Sequence, residues 1–166
     1  MNINKFTQKS MEAVQNCEKL AYEHGNQQLE QEHLLYSLLT LEDSLILKLI
    51  TKMNISKEMF MNEAEQAVNR LTKVSGGGQL YVNKVLISAE DEAKAMGDEY
   101  VSVEHLFLAM LKQPDKTLKE LFKQYGITRE SFLQALSTVR GNQRVVSDNP
   151  EATYDTLEKY GYDLVE

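Results

Sequence analysis

Four consecutive residues, Glu30-Gln31-Glu32-His33, are the first place in this 166-residue chain to look for chemistry. A glutamate three residues before a histidine is how di-iron helical bundles hold metal, but such a centre needs the pair twice and two further glutamates. A second histidine does stand in matching surroundings, since Glu32-His33-Leu34 recurs as Glu104-His105-Leu106. The position matching Glu30, however, is Ser102, so the second copy lacks the ligand and a metal centre is not expected. Acid–base work would need convergent partners that do not stand out. Each histidine falls at the start of an apolar helix, where an imidazole can bond backbone groups and anchor the turn. Both are read as structural. Cys17, the single cysteine, cannot form an internal disulfide and lies among Ala13, Val14, Leu20 and Ala21, so it reads as a small buried hydrophobe. Ser75-Gly76-Gly77-Gly78 is not followed by the Gly-Lys-Ser/Thr of a phosphate-cradling loop and reads as a flexible connector. No HExxH, cysteine pair or Ser/His/Asp order stands out.

These residues are positioned by a duplication. Ala21 pairs with Ala93, Gly25 with Gly97, Leu39 with Leu111, Asp43 with Asp115, Leu49 with Leu121, Ile55 with Ile127 and Phe60 with Phe132, each 72 residues apart. A repeat of this kind fixes architecture before any other signal. It predicts an all-α fold of two pseudo-symmetric four-helix repeats, about eight helices in total. The expected divisions are repeat one over 1–72, a Gly-rich connector over 73–79, repeat two over 80–141 and an acidic linker over 142–166. A duplicated helical unit points to binding more readily than to catalysis.

Periodicity supplies the helices. The first runs from about Thr7, a candidate N-cap, to His24 and is stopped by Gly25. A short helix from Glu32 to Leu41 is apolar nearly all round and should be central. A third follows Asp43 or Ser44, and a fourth follows Ser56. In the second copy a helix from about Asn83 to Met96 is stopped by Gly97, and Ser102 caps the apolar run Leu106 to Leu111. Thr117-Leu118-Lys119-Glu120 reads as a capping box for the seventh helix, and Thr128 caps the eighth. Residues 142–166 hold two bases and six acids and are interrupted by Asn149-Pro150. They read as an exposed connection with a short helix near Thr153 to Lys159.

Composition restricts the partners. With 42% hydrophobic and 26% charged residues the chain is an ordinary globular protein, and a net charge of −7 disfavours nucleic acid and anionic membranes. No apolar run is long enough to span a bilayer and no leader precedes the first helix, so a cytoplasmic protein is expected. The surplus is apolar. Ile87 lies off the stripe that buries Val85, Leu86 and Ala89, and Leu108 lies off the main face of helix six. Around one groove, beside Asp98, Glu99 and Glu104, such residues would form a patch for partner chains.

Phe6-Thr7, the stretch Gly97-Asp98-Glu99-Tyr100-Val101-Ser102-Val103-Glu104-His105-Leu106, and Val139-Arg140-Gly141-Asn142-Gln143-Arg144-Val145 together resemble the Clp N-terminal repeat domain. The tail Leu157 to Glu166 is similar to the family's entry into a first ATPase domain and favours the ClpB disaggregase branch over ClpC. The resemblance implies a non-catalytic, substrate-engaging domain of a hexameric AAA+ chaperone. Its parent works on unfolded or aggregated protein with a DnaK-type chaperone, in the cytoplasm. No cofactor is implied for this chain; ATP and Mg²⁺ belong to the parent's other domains. In that family a Thr opening helix one, the Asp after the helix-five Gly and the Glu before the short helix are linked to substrate engagement. They fall on Thr7, Asp98 and Glu104, and a neighbouring apolar groove would use Leu86 with Val85 and Ile87. Ser88 departs from relatives that carry an apolar residue there. The isolated domain is expected to be a monomer. The alternative is a ClpC-like adaptor-docking domain using Glu32 and Glu104 as paired sites for modified arginines. A stand-alone helical enzyme is the third reading.

Overall fold

The computed structural model describes residues 5–25, 29–71 and 78–140; the side chains of 78–82 are outside the description. Eight helices account for nearly all of these residues: α1 Gln8–Glu23, α2 Gln31–Thr40, α3 Leu45–Lys52, α4 Lys57–Asn69, α5 Gly78–Ala95, α6 Val103–Lys112, α7 Lys116–Tyr125 and α8 Arg129–Arg140. The protein is all-α, and a shift of 72 residues carries α2 onto α6 end for end (31 + 72 = 103, 40 + 72 = 112). The linker over 142–166 and most of the connector lie outside the described residues.

α2 and α6 form the centre. Each buries eight of its ten residues, because sequence that is apolar all round cannot leave one face in water. α1 and α4 pack on α2, and α5 packs on α6. The copies also interlock, since α1 and α3 reach α6, α2 reaches α5 and α7, and α3 reaches α8. One continuous apolar core results. Phe107 sits within it, with ring centroids 4.6 Å from Phe132 and 5.5 Å from Phe122. Cys17 is fully buried between α1 and its neighbours, and burial pushes its thiol pKa strongly up. No helix among the described residues is long and apolar enough to cross a membrane.

Three local expectations change. α5 begins at Gly78, five residues ahead of Asn83, so the last glycine of the connector is helical. α7 is capped by Asp115, whose Oδ1 accepts from the Leu118 amide at 2.9 Å, and not by Thr117. The Asp115 amide is itself held by Gln31 Oε1 at 2.8 Å, which fixes the turn ahead of Thr117. Leu108 is fully buried and adds nothing to a surface patch.

Buried helix starts leave amides that water cannot reach. The two histidines solve this identically. His33 Nδ1 accepts from the Glu30 amide and His105 Nδ1 accepts from the Ser102 amide, both at 2.9 Å. Glu30 and Ser102 face the histidine amides in return, so each pair forms a capping box with histidine in the usual Glu position. This accounts for the Glu30-x-x-His33 spacing that resembled a metal motif.

Burial lowers the His33 pKa from 6.5 to about 4, the folded chain needing the neutral ring as acceptor. An unfolded chain binds that proton near pH 6.5, so the contribution is complete above 6.5 and is lost as pH falls from 6.5 towards 4, on the order of 3 kcal/mol in all. Chemical denaturation of the protein and of His33→Gln should show curves that diverge across this window. Parallel curves would remove the histidine cap from the account of stability.

Candidate functional site

Gly97, with φ of 75°, ends α5 in the left-handed conformation that glycine adopts without cost. The next residue, Asp98, is thereby turned inward. Its Oδ2 accepts from His105 Nε2 at 2.7 Å and its Oδ1 accepts from Arg140 Nη2 at 2.6 Å. Arg140 Nη1 also reaches Glu104 Oε2, at 3.3 Å. The side chains of Asp98, Glu104 and His105 are fully enclosed and that of Arg140 is 3% exposed. With Nδ1 accepting from Ser102 and Nε2 donating to Asp98, the His105 ring is held in one tautomer. The Ser102 hydroxyl also lies 3.4 Å from His105 Nδ1, but it is fully buried and no substrate can reach it as the helices are packed. The network therefore ties the end of α5, the start of α6 and the end of α8 into one ionic joint, leaving Glu104 Oε1 without a partner.

Repeat one builds the equivalent place differently. Glu32 matches Glu104, but the position matching Arg140 is Val68. Glu32 instead lies beside Glu30 and Asp115, one carboxylate oxygen of each falling within 4.8 Å of the others. Burial first, and Asp115 second, push the Glu32 pKa up to about 8, so at neutral pH this carboxyl carries a proton and hydrogen-bonds to Asp115. Glu30 and Asp115 are both committed to helix starts, where the amide ends of α2 and α7 already offset their charge. Hard oxygen donors of this kind suit Mg²⁺ or Ca²⁺, but a shared proton and two helix ends satisfy the group as it stands.

The six residues expected to meet substrate separate into three places. Asp98 and Glu104 belong to the Arg140 joint. Thr7 is fully buried, caps α1 through its hydroxyl (3.2 Å from the Ser10 amide) and donates its own amide to the Val101 carbonyl at 2.9 Å. Val85 and Leu86 are core residues, at 2% and 4% exposure, whereas Ile87 is 52% exposed. Val85, Ile87 and Ser88 line one side of a cleft of about 730 Å³ whose other side is the α6–α7 loop around Pro114. A further cleft of about 620 Å³ lies along the C-terminal half of α5 and is lined by Lys5, Ala93, Lys94, Asp98 and Val101. Of the three α5 residues expected to form a groove only Ile87 is at the surface, and Arg140 and Asp115 stand out in the sequence as partners of no carboxylate. Both act on carboxylates far away in the chain, and no periodicity reports such pairings.

Removing one partner of a buried ion pair strands the other charge. Arg140→Ala should cost about 3–5 kcal/mol in urea denaturation, and the double variant Arg140→Ala/Asp98→Asn should recover part of that loss. A cost below about 1 kcal/mol would mean that the joint is solvated. Glu32 has the opposite pH sense to His33. Its contribution is complete below about pH 4.5 and is lost as pH rises through about 8. Glu32→Gln, which mimics the protonated form, should abolish the loss between about pH 4.5 and 8.

Residues 5–125 and 81–157 match the family model of the Clp repeat (R) N-terminal domain. The chain is 40% identical to the chaperone protein ClpB of Bacillus cereus (strain ATCC 10987 / NRS 248), over 99% of this chain and 20% of that protein. It is likewise 40% identical to the chaperone protein ClpB of Nitratidesulfovibrio vulgaris, over 100% of this chain and 20% of that protein. It thus spans about one fifth of the length of these relatives. The Hsp104 N-terminal domain from Candida albicans superposes with a TM-score of 0.74 at 22% identity, covering 89% of this chain and 99% of that one. That likeness carries the fold; the sequence matches carry the family. Two interlocked four-helix repeats and 40% identity along nearly the whole chain make this protein a member of the Clp repeat N-terminal domain family, homologous to the N-terminal region of ClpB chaperones.

Proposed function

We propose that the chain is a non-catalytic, substrate-engaging domain of a ClpB-type disaggregase, acting on unfolded or aggregated protein segments. On this reading ATP and Mg²⁺ are handled by other domains of a hexameric parent. The parent cooperates with a DnaK-type chaperone in the cytoplasm, and the domain itself is monomeric. The observation that carries the substrate role is the α5 cleft. Ile87, one of the few large apolar side chains exposed in the described structure, stands at the edge of a cleft that also contains Val85 and Pro114. Apolar surface gathered at a concave place is what an extended chain can cover. The cleft is shallow and partly polar, which suits binding at roughly micromolar affinity or weaker, about −8 kcal/mol at most.

A second reading, docking of a folded adaptor, is supported by one observation. Glu32 Oε1 and Glu104 Oε1 are both buried and unpartnered, but only in repeat two does an arginine, Arg140, already pair with the acid. An adaptor would be captured as one stoichiometric folded partner, whereas substrate engagement captures many unfolded ones.

The burial pattern decides which variants can test the main reading. Leu86→Ala opens a core cavity and should cost about 2–5 kcal/mol, so lost binding there would report lost structure. Ile87→Ser alters an exposed side chain and should leave stability within about 0.5 kcal/mol. Fluorescence anisotropy with labelled unfolded casein should show several-fold weaker binding for Ile87→Ser at unchanged melting temperature. Unchanged binding would move substrate engagement away from the α5 cleft.

A further inference from the structure

The chain carries 25 acids and 18 bases, yet residues 112–123 hold four lysines (Lys112, Lys116, Lys119 and Lys123) against two acids, Asp115 and Glu120. The fold gathers these lysines around two adjoining clefts. The α5 cleft is rimmed by Lys84, Lys112 and Lys116. A second cleft, of about 630 Å³, lies behind the α6–α7 loop with Lys112, Lys119 and Lys123 at its edge and Leu111, Phe122 and Ile127 at its floor. Lys112, Gln113 and Pro114 line both, so the two clefts adjoin on either side of the α6–α7 loop. None of the five lysines forms an ion pair with another described residue. The other charged groups facing the clefts are Asp91, Asp115 and Arg129. Asp115 is committed to the cap of α7, and Arg129 is paired with Glu92 at 2.6 Å.

We propose that the two clefts form one track for an extended polypeptide segment whose apolar side chains are flanked by Asp or Glu. This deepens the substrate role and rests on it. The apolar floor from Val85 and Ile87 through Pro114 to Ile127 takes the side chains, and the lysine rim holds the flanking carboxylates. Outside these lysines the described residues hold more acids than bases, so charge complementarity to such a segment concentrates on this strip. A nucleic acid is the poorer occupant. Single strands bind by stacking bases on exposed aromatic rings, and the one aromatic residue of the track, Phe122, is 4% exposed.

The test uses the full 166-residue chain and two fluorescein-labelled peptides sharing one apolar centre. One is flanked by Asp and Glu, the other by Lys. At about 50 mM salt the acidic-flanked peptide should bind about tenfold more tightly by anisotropy, and about 0.5 M salt should erase the difference. Lys112→Glu/Lys116→Glu should abolish or invert the preference. Lys57→Glu, which alters a lysine lining neither cleft, should leave it intact. These substitutions are on exposed residues, and far-UV circular dichroism checks that the helices persist. Equal binding of both peptides, or a preference that survives the double reversal, overturns the track while the substrate role stands. Binding of neither peptide overturns both. Tighter binding of a labelled oligouridine than of the acidic-flanked peptide overturns the choice of polypeptide in favour of RNA.

Discussion

Placing two helices in the middle of a small protein creates a polar problem before it brings any apolar benefit. α2 and α6 are enclosed along most of their length, so their first amides meet protein and not water. Every other feature of the helix starts follows from that constraint. A histidine at the third helical position accepts from the capping residue's amide. The ring must then be neutral and oriented, and in repeat two its far nitrogen is used to hold Asp98, which in turn holds Arg140. A chain of satisfied donors thus runs from a helix cap to the end of the last described helix. The buried start of α2 likewise places Glu30 and Glu32 of repeat one beside Asp115 of repeat two.

The duplication made much of this legible. Two copies in one register restrict each other, so Gly25 and Gly97 were readable as helix stops, and both adopt positive φ. His33 and His105 were readable as turn anchors. Boundaries failed where one residue type serves two roles. Gly78 belongs to a glycine run and still joins a helix, and Asp115 outcompetes Thr117 as cap because a glutamine from the other repeat fixes its backbone. The carboxylate partners were not legible at all. Arg140 reaches Glu104 and Asp98 across 36 and 42 residues, with no periodicity to report it. The lysine track was hidden for a different reason: a net charge averages over the whole surface, whereas recognition depends on a few side chains around one cleft.

The two copies also show how a duplicated scaffold divides its labour. Repeat two closes its acidic corner with its own guanidinium, gaining a rigid joint between three helices. Repeat one has valine where that arginine would be and keeps its acid as a protonated neighbour of Asp115. Corresponding helices therefore carry two electrostatic states, one ionic and locked, the other proton-dependent. The interlocked packing makes each copy sense the other, since the Asp115 that governs Glu32 belongs to the loop between α6 and α7.

Cys17 sits at the heart of this arrangement with no accessible surface. It is the only thiol in the chain, and enclosure keeps it in the unreactive protonated form. A sulfhydryl reagent can touch it only when α1 lifts from the core. The protein thus carries an internal reporter: alkylation requires the packed helices to open, so the labelling rate follows the small fraction of molecules in which the core is open.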